Sequence, residues 1–324
     1  MNLILIENPD ARWDEFISKY PHHLIFHTSI WAQILKISYD TKLAYYVLED
    51  KEEWLLAIPG MLTGRFLKLW YSLIPYGGFI GKKEYIPTLL KFITRDIRKY
   101  KIDRLEIIDP EVSQPSEIRG FVGKESYRHI LNLENKTEED IWKNYKPNLR
   151  RTIGEALDAK LSIEKTKDSK EVELFYNLYL ESMRRQRGVV RYPLELFRGI
   201  FSLIEQGKGD IFFAKHEGIA IAGIVIIYSE DMAHYFHGGS LSKYLNLRPN
   251  DLLFHTAIKE AMRRGKKQFD FMGSAKNLTG LIQFKEKWGT ERKSLYALRQ
   301  DMNRLKSWLH EIAVPYLRFC RGRD

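Results

Sequence analysis

Residues 235–289 read YFHGGSLSKYLNLRPNDLLFHTAIKEAMRRGKKQFDFMGSAKNLTGLIQFKEKWG. A strand ends at the Gly238-Gly239 step. Leu252, Leu253, Thr256, Ala257 and Ala261 then fall on one side of a helix. Gly265 supplies its terminator, and QFDFM is the next strand. The last ten residues read as a short helix, where positions three and four apart are neighbours. On that spacing Lys285 has Leu281, Ile282, Trp288 and Gly289 around it, whereas Lys287 has Gln283, Phe284, Thr290 and Glu291 and sits on an ordinary polar face. A cation among apolar groups costs free energy unless it meets an anion, so Lys285 marks a candidate site. The plainer reading, a lysine stem laid over Leu281 and Trp288 toward water, stays open at this level.

Upstream of this stretch, DIFFAKH from Asp210, a turn at Glu217-Gly218, IAIAGIVIIY and MAHYFH read as three strands. The same order occurs earlier. From Lys42 come LAYYVLE, then EEWLLAIPGML, a strand through Leu69 to Ile74, and a Gly77-Gly78 step. A helix over roughly 84–100 follows, with Leu89, Leu90, Ile93 and Ile97 at helical spacing, and RLEIID closes the unit. Helices precede both copies: Pro21 to Tyr39 in the first, and in the second a capping-box start at Thr137 with Asp140 and a helix opened by Asp168 with Glu171. The pattern predicts an α/β (α+β) chain of two tandem modules, each a mixed sheet flanked by helices. Residues 1–134 form the first and 135–299 the second, with a C-terminal helix over 300–324 that packs back on the first.

The 324 residues suffice for two sizeable cores. The longest apolar run, Ile219 to Tyr228, is half a membrane span and reads as a buried strand. MNLILIENP lacks the basic leader of a signal peptide. A single cysteine, Cys320, excludes an intrachain disulfide and argues against structural zinc. A cytoplasmic protein with no transmembrane segment is expected. The net charge of +10 suggests an anionic partner. Basic residues cluster at Lys143, Lys146, Arg150 and Arg151, at Arg184, Arg185, Arg187 and Arg191, at Arg263, Arg264, Lys266 and Lys267, and at Arg318, Arg321 and Arg323. Taken singly, each cluster reads as a solvated face.

Several chemistries lack their residues. There is no GxSxG elbow, no HExxH or other metal spacing, no P-loop and no GxGxxG. No metal and no bound cofactor are expected. His234 and His237, three apart on a strand, should face opposite sides; His237 either lines a site or is an ordinary sheet histidine. The turn LNLRPNDLL has no glycine, and Pro249 removes a backbone donor. A phosphate-wrapping turn for coenzyme A is therefore not expected there.

The tandem modules, the HGGS step, the RPNDLL turn, the FDFMG strand and GLIQFKEKWG resemble the Fem-type (FemABX) aminoacyltransferases over nearly the whole chain, most strongly from Trp142 to Gly289. The resemblance implies two acetyltransferase-like (GNAT-like) domains. It also implies an amide-forming acyl transfer, in which an amine of a cell-wall precursor attacks the ester of an aminoacyl-tRNA without ATP or metal. Phe284-Lys285 matches the family's Phe-Lys pair at the reaction centre. Trp31 and Lys36, in WAQILK, match a stretch whose lysine meets the precursor's phosphates. Asp109 matches a carboxylate at the domain cleft, Arg191 falls near an arginine used for the precursor, and Asp270 matches the aspartate of the closing strand.

Where precursor-binding members carry a tyrosine after the Gly-Gly-Ser step, this chain has Asn250, and it lacks the coiled-coil arm of some members. Both departures point to the broader Fem-like group. Tyr235, His237, Asn250 and Phe284 complete the expected substrate-binding set, with the acceptor entering between the modules.

On this reading Lys285 stabilises the oxyanion of amine attack or neutralises the donor's phosphate, and Asp109 or Asp270 accepts the amine proton. Each aspartate has a plainer reading as a strand-end residue. The implied partners are an anionic donor such as tRNA and a lipid-linked amine acceptor at the inner membrane face, with no DNA. Two other readings stand beside this one. The first is an N-acyltransferase that uses acyl-CoA or acyl-carrier protein in envelope polysaccharide or lipid assembly. The second is a non-catalytic protein that uses its basic surface for binding.

Overall fold

The structure is a computed structural model that describes every residue except 65, 113–117, 167, 310 and 313–324. The chain falls into two compact units, 1–126 with 294–324, and 127–293. Cys320, the three C-terminal arginines and the end of the expected last helix lie outside the described residues.

The first unit opens with β1 (Asn2–Ile6), α1 (Ala11–Ser18) and α2 (Ser29–Tyr39). Short strands follow: β2 (Lys42–Leu43), β3 (Tyr45–Asp50), β4 (Glu53–Ile58), β5 (Gly60–Thr63), β6 (Leu69–Ser72) and β7 (Ile80–Gly81). Then come α3 (Ile86–Lys99) and β8 (Arg104–Asp109). The expected single helix over 21–39 is two pieces, a 3₁₀ turn at Ile25–His27 and α2. Thr28 between them is extended and takes the Trp31 N–H on its side chain, which starts a new helix.

One sheet runs β1-β3-β4-β7, all antiparallel. Elsewhere in the unit β2, β5, β6 and β8 are successive neighbours, with β6 and β8 parallel. The α3 side chains Leu89, Leu90, Ile93 and Ile97 are buried in one core with Tyr46, Leu56, Trp70 and Leu105, which accounts for their helical spacing.

In the second unit the chain runs through β9 (Val122–Asn132), α4 (Glu138–Asn144), α5 (Pro147–Asp158) and β10 (Ser162–Lys165). It continues with α6 (Glu171–Arg185), α7 (Leu194–Glu205), β11 (Gly209–His216) and β12 (Ile219–Tyr228). Then come β13 (Met232–Ser240), α8 (Pro249–Arg263), β14 (Gln268–Ala275) and α9 (Thr279–Glu286). The last strand, β15 (Glu291–Asp301), brings the chain back to the first unit, where Tyr296–Asp301 pairs with β8. The Thr137/Asp140 capping box forms as expected and starts α4.

The second unit's strand order is β10-β11-β12-β13-β14-β9. All registered pairs are antiparallel except β13 with β14. Helices α5 and α8 cover one face, burying Leu149, Ile153, Leu253, Phe254 and Ala257 with Ile224, Ile226 and Phe271. Helices α6 and α7 cover the other.

Two irregularities of β13 depart from a regular sheet. First, Val225 pairs with His237 but Ile226 pairs with Tyr235, so Phe236 is an extra, bulged residue. The bulge reverses the side-chain alternation, and His234 and His237 therefore share the α6/α7 face. The expectation of opposite faces is corrected by that one residue. Second, β13 and β14 pair only from Met232–Gln268 to His234–Asp270 and part beyond that point.

Close approach explains the Gly-Gly step. A Cβ at Gly239 would lie 2.3 Å from the Leu178 carbonyl carbon of α6. Gly239→Ala is expected to destabilise the chain by about 1–3 kcal/mol, read as a lower urea midpoint at unchanged slope. Gly154→Ala, on α5 where a Cβ meets nothing within 4 Å, should not lower the midpoint.

Candidate active site

Where β13 and β14 part, a buried polar cluster lies within the second unit. Asp270 is fully buried. Its Oδ2 accepts from Arg128 Nε at 3.1 Å and Nη2 at 3.0 Å, and from His234 Nδ1 at 3.2 Å. Its Oδ1 accepts the Met272 N–H at 2.7 Å. A carboxylate only accepts, so His234 carries its proton on Nδ1, and Nε2 takes the Ser229 hydroxyl at 2.8 Å. Burial alone would raise the Asp270 pKa, but Arg128 and His234 outweigh it and hold the carboxyl well below the usual range. Burial keeps His234 neutral against the pull of Asp270.

The Met272 N–H bond turns the strand. Met272 sits at φ +62°, a conformation that costs a side-chain-bearing residue about 1–2 kcal/mol. The carbonyls of Met272 and Gly273 receive Lys285 Nζ at 2.9 and 3.0 Å. Those oxygens lie beyond the last registered pair of β13 with β14, His234 with Asp270, and Lys285 supplies them with donors. Lys285 itself is only 3 % exposed. Burial draws its pKa down to about 8 against the opposing attraction of Asp270.

An ammonium carries three N–H donors; two meet these carbonyls, and the third has no partner among the described residues. The apolar setting read from the sequence is real, whereas the reach to open water is not. Leu281, expected beside Lys285, is 40 % exposed, whereas Ile282 and Trp288 are buried, and the ammonium itself meets the β14 backbone.

Lys287 does not sit on an ordinary polar face. Its Nζ meets Asp251 Oδ1 at 2.6 Å and lies 4.4 Å from the Phe284 ring centroid. Phe284 packs edge-on against Phe254, and Tyr235 lies 4.5 Å from Phe254 on the same core face. Asn250 is half-buried as the second residue of α8.

On the opposite face His237 lies edge-on to Tyr179 and Tyr192, and its Nδ1 accepts the Gly238 N–H at 2.9 Å. Burial lowers its pKa to about 4 against the pull of the Gly238 carbonyl, 3.0 Å from the same nitrogen, so the ring is neutral. The Arg191 side chain is exposed and its backbone N–H donates to Tyr179 Oη at 3.0 Å.

Lys36, Trp31 and Asp109 belong to the first unit. Lys36 is exposed and bonds Asn8 Oδ1 at 2.8 Å. Trp31 is fully buried beside Phe26, with Nε1 donating to the Ile74 carbonyl; it is a core residue and offers a substrate no surface. Asp109 accepts the Phe79 and Glu111 N–H groups at 2.8 and 2.7 Å, and burial raises its pKa despite these bonds. Asp270, the other expected proton acceptor, has both oxygens occupied and is fully buried.

Sequence reading missed Arg128, His234 and Ser229. Arg128 stands in a strand of mostly polar letters, and only three-dimensional pairing identifies it. Another missed residue, His129, is fully buried, and neither ring nitrogen has a hydrogen-bond partner among the described residues. Burial first, then the Lys285 charge, lowers its pKa to about 4. The basic cluster at 263–267 is largely paired internally, with Glu260 held by Arg263, Arg264 and Lys165.

Comparison with known proteins bears on the fold. Residues 143–286 match the acetyltransferase (GNAT) domain family. The crystal structure of FemX superposes with a TM-score of 0.73 at 16% identity, covering 96% of this chain and 99% of that one. A tandem GNAT protein from the clavulanic acid biosynthesis pathway gives 0.60 at 12% identity, over 93% and 98% of the two chains. The lipid II:glycine glycyltransferase of Staphylococcus haemolyticus is 32% identical over 84 residues, 24% of this chain and 20% of that protein. The chain thus spans about a fifth of the length of the curated relatives it matches. The GNAT-like fold and the Fem-type resemblance expected from the sequence are both met.

Arg128→Met leaves the Asp270 charge buried without its main partner and is expected to cost about 3–5 kcal/mol, measured by urea unfolding at pH 7. Asp270→Asn in the same chain should restore part of the loss. An unchanged midpoint in Arg128→Met would contradict the pairing.

Proposed function

We propose that the chain transfers an aminoacyl group from an aminoacyl-tRNA to an amine of a lipid-linked cell-wall precursor. The observation that carries the reading is Lys285, a buried ammonium with two donors fixed on strand carbonyls and a third without a partner among the described residues; in this reading the third meets a substrate oxygen. The likeness to a lipid II:glycine glycyltransferase supports the choice of acceptor, and such an acceptor places the work at a membrane face. Among the described residues no helix is long and apolar enough to cross a membrane.

The amine nitrogen attacks the ester carbonyl, a C–N bond forms, and the carbonyl oxygen becomes an oxyanion. The free N–H of Lys285 stabilises that charge in a site where water does not screen it. The intermediate collapses by breaking the C–O bond to the ribose. The proton lost by the amine balances the one gained by the departing ribose oxygen, so no outside acid or base enters the sum. Asp270 acts on the reaction only by positioning. It holds Met272 turned, and the turn presents the carbonyls that hold Lys285.

The N-terminus of α8 disfavours an acyl-CoA donor. Pro249 has no N–H, and the Asp251 and Leu252 N–H groups already meet the Arg248 carbonyl at 3.1 and 3.4 Å. Asp251, bonded to Thr152 Oγ1 at 2.7 Å and to Lys287, puts a carboxylate in the first turn of α8, which works against a diphosphate at that helix end.

Lys285→Met is expected to lower turnover by roughly 10²–10³ with folding intact, assayed with charged tRNA and a lipid-linked amine acceptor by mass spectrometry. Turnover within threefold of the parent would sink the role, as would activity with acyl-CoA but not with charged tRNA. The pH dependence has two opposite signs. Turnover falls as pH rises through about 8, because the ammonium is lost there. Stability rises over the window from about 8 toward 10.5, because below it the folded chain holds a buried charge that the unfolded chain keeps in water.

A further inference from the structure

After β15 the chain is helical over 304–309 and 311–312, and this helix is inverted relative to the rule for surface helices. Leu305, Trp308, Leu309 and Ile312, spaced i, i+3, i+4 and i+7, are 66, 58, 40 and 50 % exposed. They form one apolar stripe facing outward. Several polar side chains of the helix instead bond to the protein body, although Arg304 and Glu311 are exposed. Asn303 Nδ2 and Lys306 Nζ reach Asp103 at 3.3 and 3.2 Å. Ser307 is buried, and Glu311 Oε1 accepts from Arg104 at 3.1 Å and from Arg299 at 3.4 Å. These bonds fix the helix in the orientation that exposes its stripe. A contiguous apolar patch held outward in this way marks an interaction surface.

We infer that this stripe docks the first unit onto an anionic lipid bilayer. A tryptophan among leucines suits the boundary between headgroups and acyl chains. The charge agrees with it. In the same unit a groove of about 550 Å³ has Lys91, Arg95, Arg98 and Arg119 around Leu90 and Phe121. Among the described residues none of these four cations has an acidic partner. Three arginines, 318, 321 and 323, follow the helix in sequence, and the whole chain carries +10. A second copy of the chain is a poorer occupant. The four side chains offer on the order of 400 Å², about half of the roughly 800 Å² per partner that a stable interface buries. The inference deepens the membrane-face part of the proposed function but rests on the helix, so it can stand or fall without the acyl transfer.

The test is co-sedimentation of the full chain with vesicles of phosphatidylglycerol and phosphatidylcholine, beside vesicles of phosphatidylcholine alone. Trp308 fluorescence is followed as the difference from Trp308→Phe. The chain should bind the anionic vesicles with a blue shift of Trp308 emission, and the neutral ones at least tenfold more weakly. Leu305→Ser/Trp308→Ser, at exposed positions, should keep the parent melting temperature and lose at least tenfold in vesicle affinity. Trp308→Phe should keep most of the affinity. Lys91→Ser/Arg95→Ser should weaken only the anionic binding. The inference is overturned if the parent ignores anionic vesicles or if the double serine variant binds as well as the parent. A dimer that dissociates in the serine variant, Trp308 emission already blue-shifted in a lipid-free monomer, or a stripe protected by tRNA instead of lipid would also overturn it.

Discussion

The Asp270 carboxylate has no access to water, and every other feature of the candidate site depends on how it is satisfied. Arg128 and His234 neutralise one oxygen. The other takes the Met272 N–H and thereby turns the strand into a left-handed residue. The turn exposes two carbonyls, and those carbonyls are what make a buried Lys285 tolerable. The sequence of causes runs from a buried charge to a bent strand to a positioned cation. Replacing the lysine alone would leave the bend, whereas removing the aspartate would remove the reason for it.

The parallel pairing of β13 with β14 supplies the space. Parallel strands joined by a helix diverge readily once their ladder stops, and here it stops after three residue pairs. The bulge at Phe236 turns His237 to the face that already carries His234. Aromatic side chains from α6 and α7 then close over His237. One extra residue in one strand thus decides which histidine serves the carboxylate and which serves the aromatic wall.

Much of this is legible in the sequence. The Leu252/Leu253/Ala257 side of α8, the ten-residue run of β12, the capping box at Thr137 and the Gly-Gly step each carry a local signal with a physical cause. They suffice for two α/β modules and for the suspicion about Lys285. The strand β9 escapes such a reading because its buried stretch includes Arg128 and His129, which a hydropathy pattern counts as surface, and β15 escapes it because most of its residues are polar. Trp31 misleads for a related reason: nothing local distinguishes a tryptophan that contacts substrate from one that fills a core. Asp270 is visible as a strand-end residue, but its partners come from positions 128, 234 and 272, and pairing at that separation leaves no local trace. Lys287 reads as an ordinary surface lysine because its partner, Asp251, lies 36 residues away in sequence.

The central claim is that the Lys285 ammonium is held in a dry backbone cradle, and its own titration measures that directly. With lysine labelled at Cε, the NMR resonance assigned through Lys285→Arg should titrate with a midpoint near 8, apart from the other lysines. A midpoint at the ordinary value near 10.5 would mean a solvated side chain and would contradict the account.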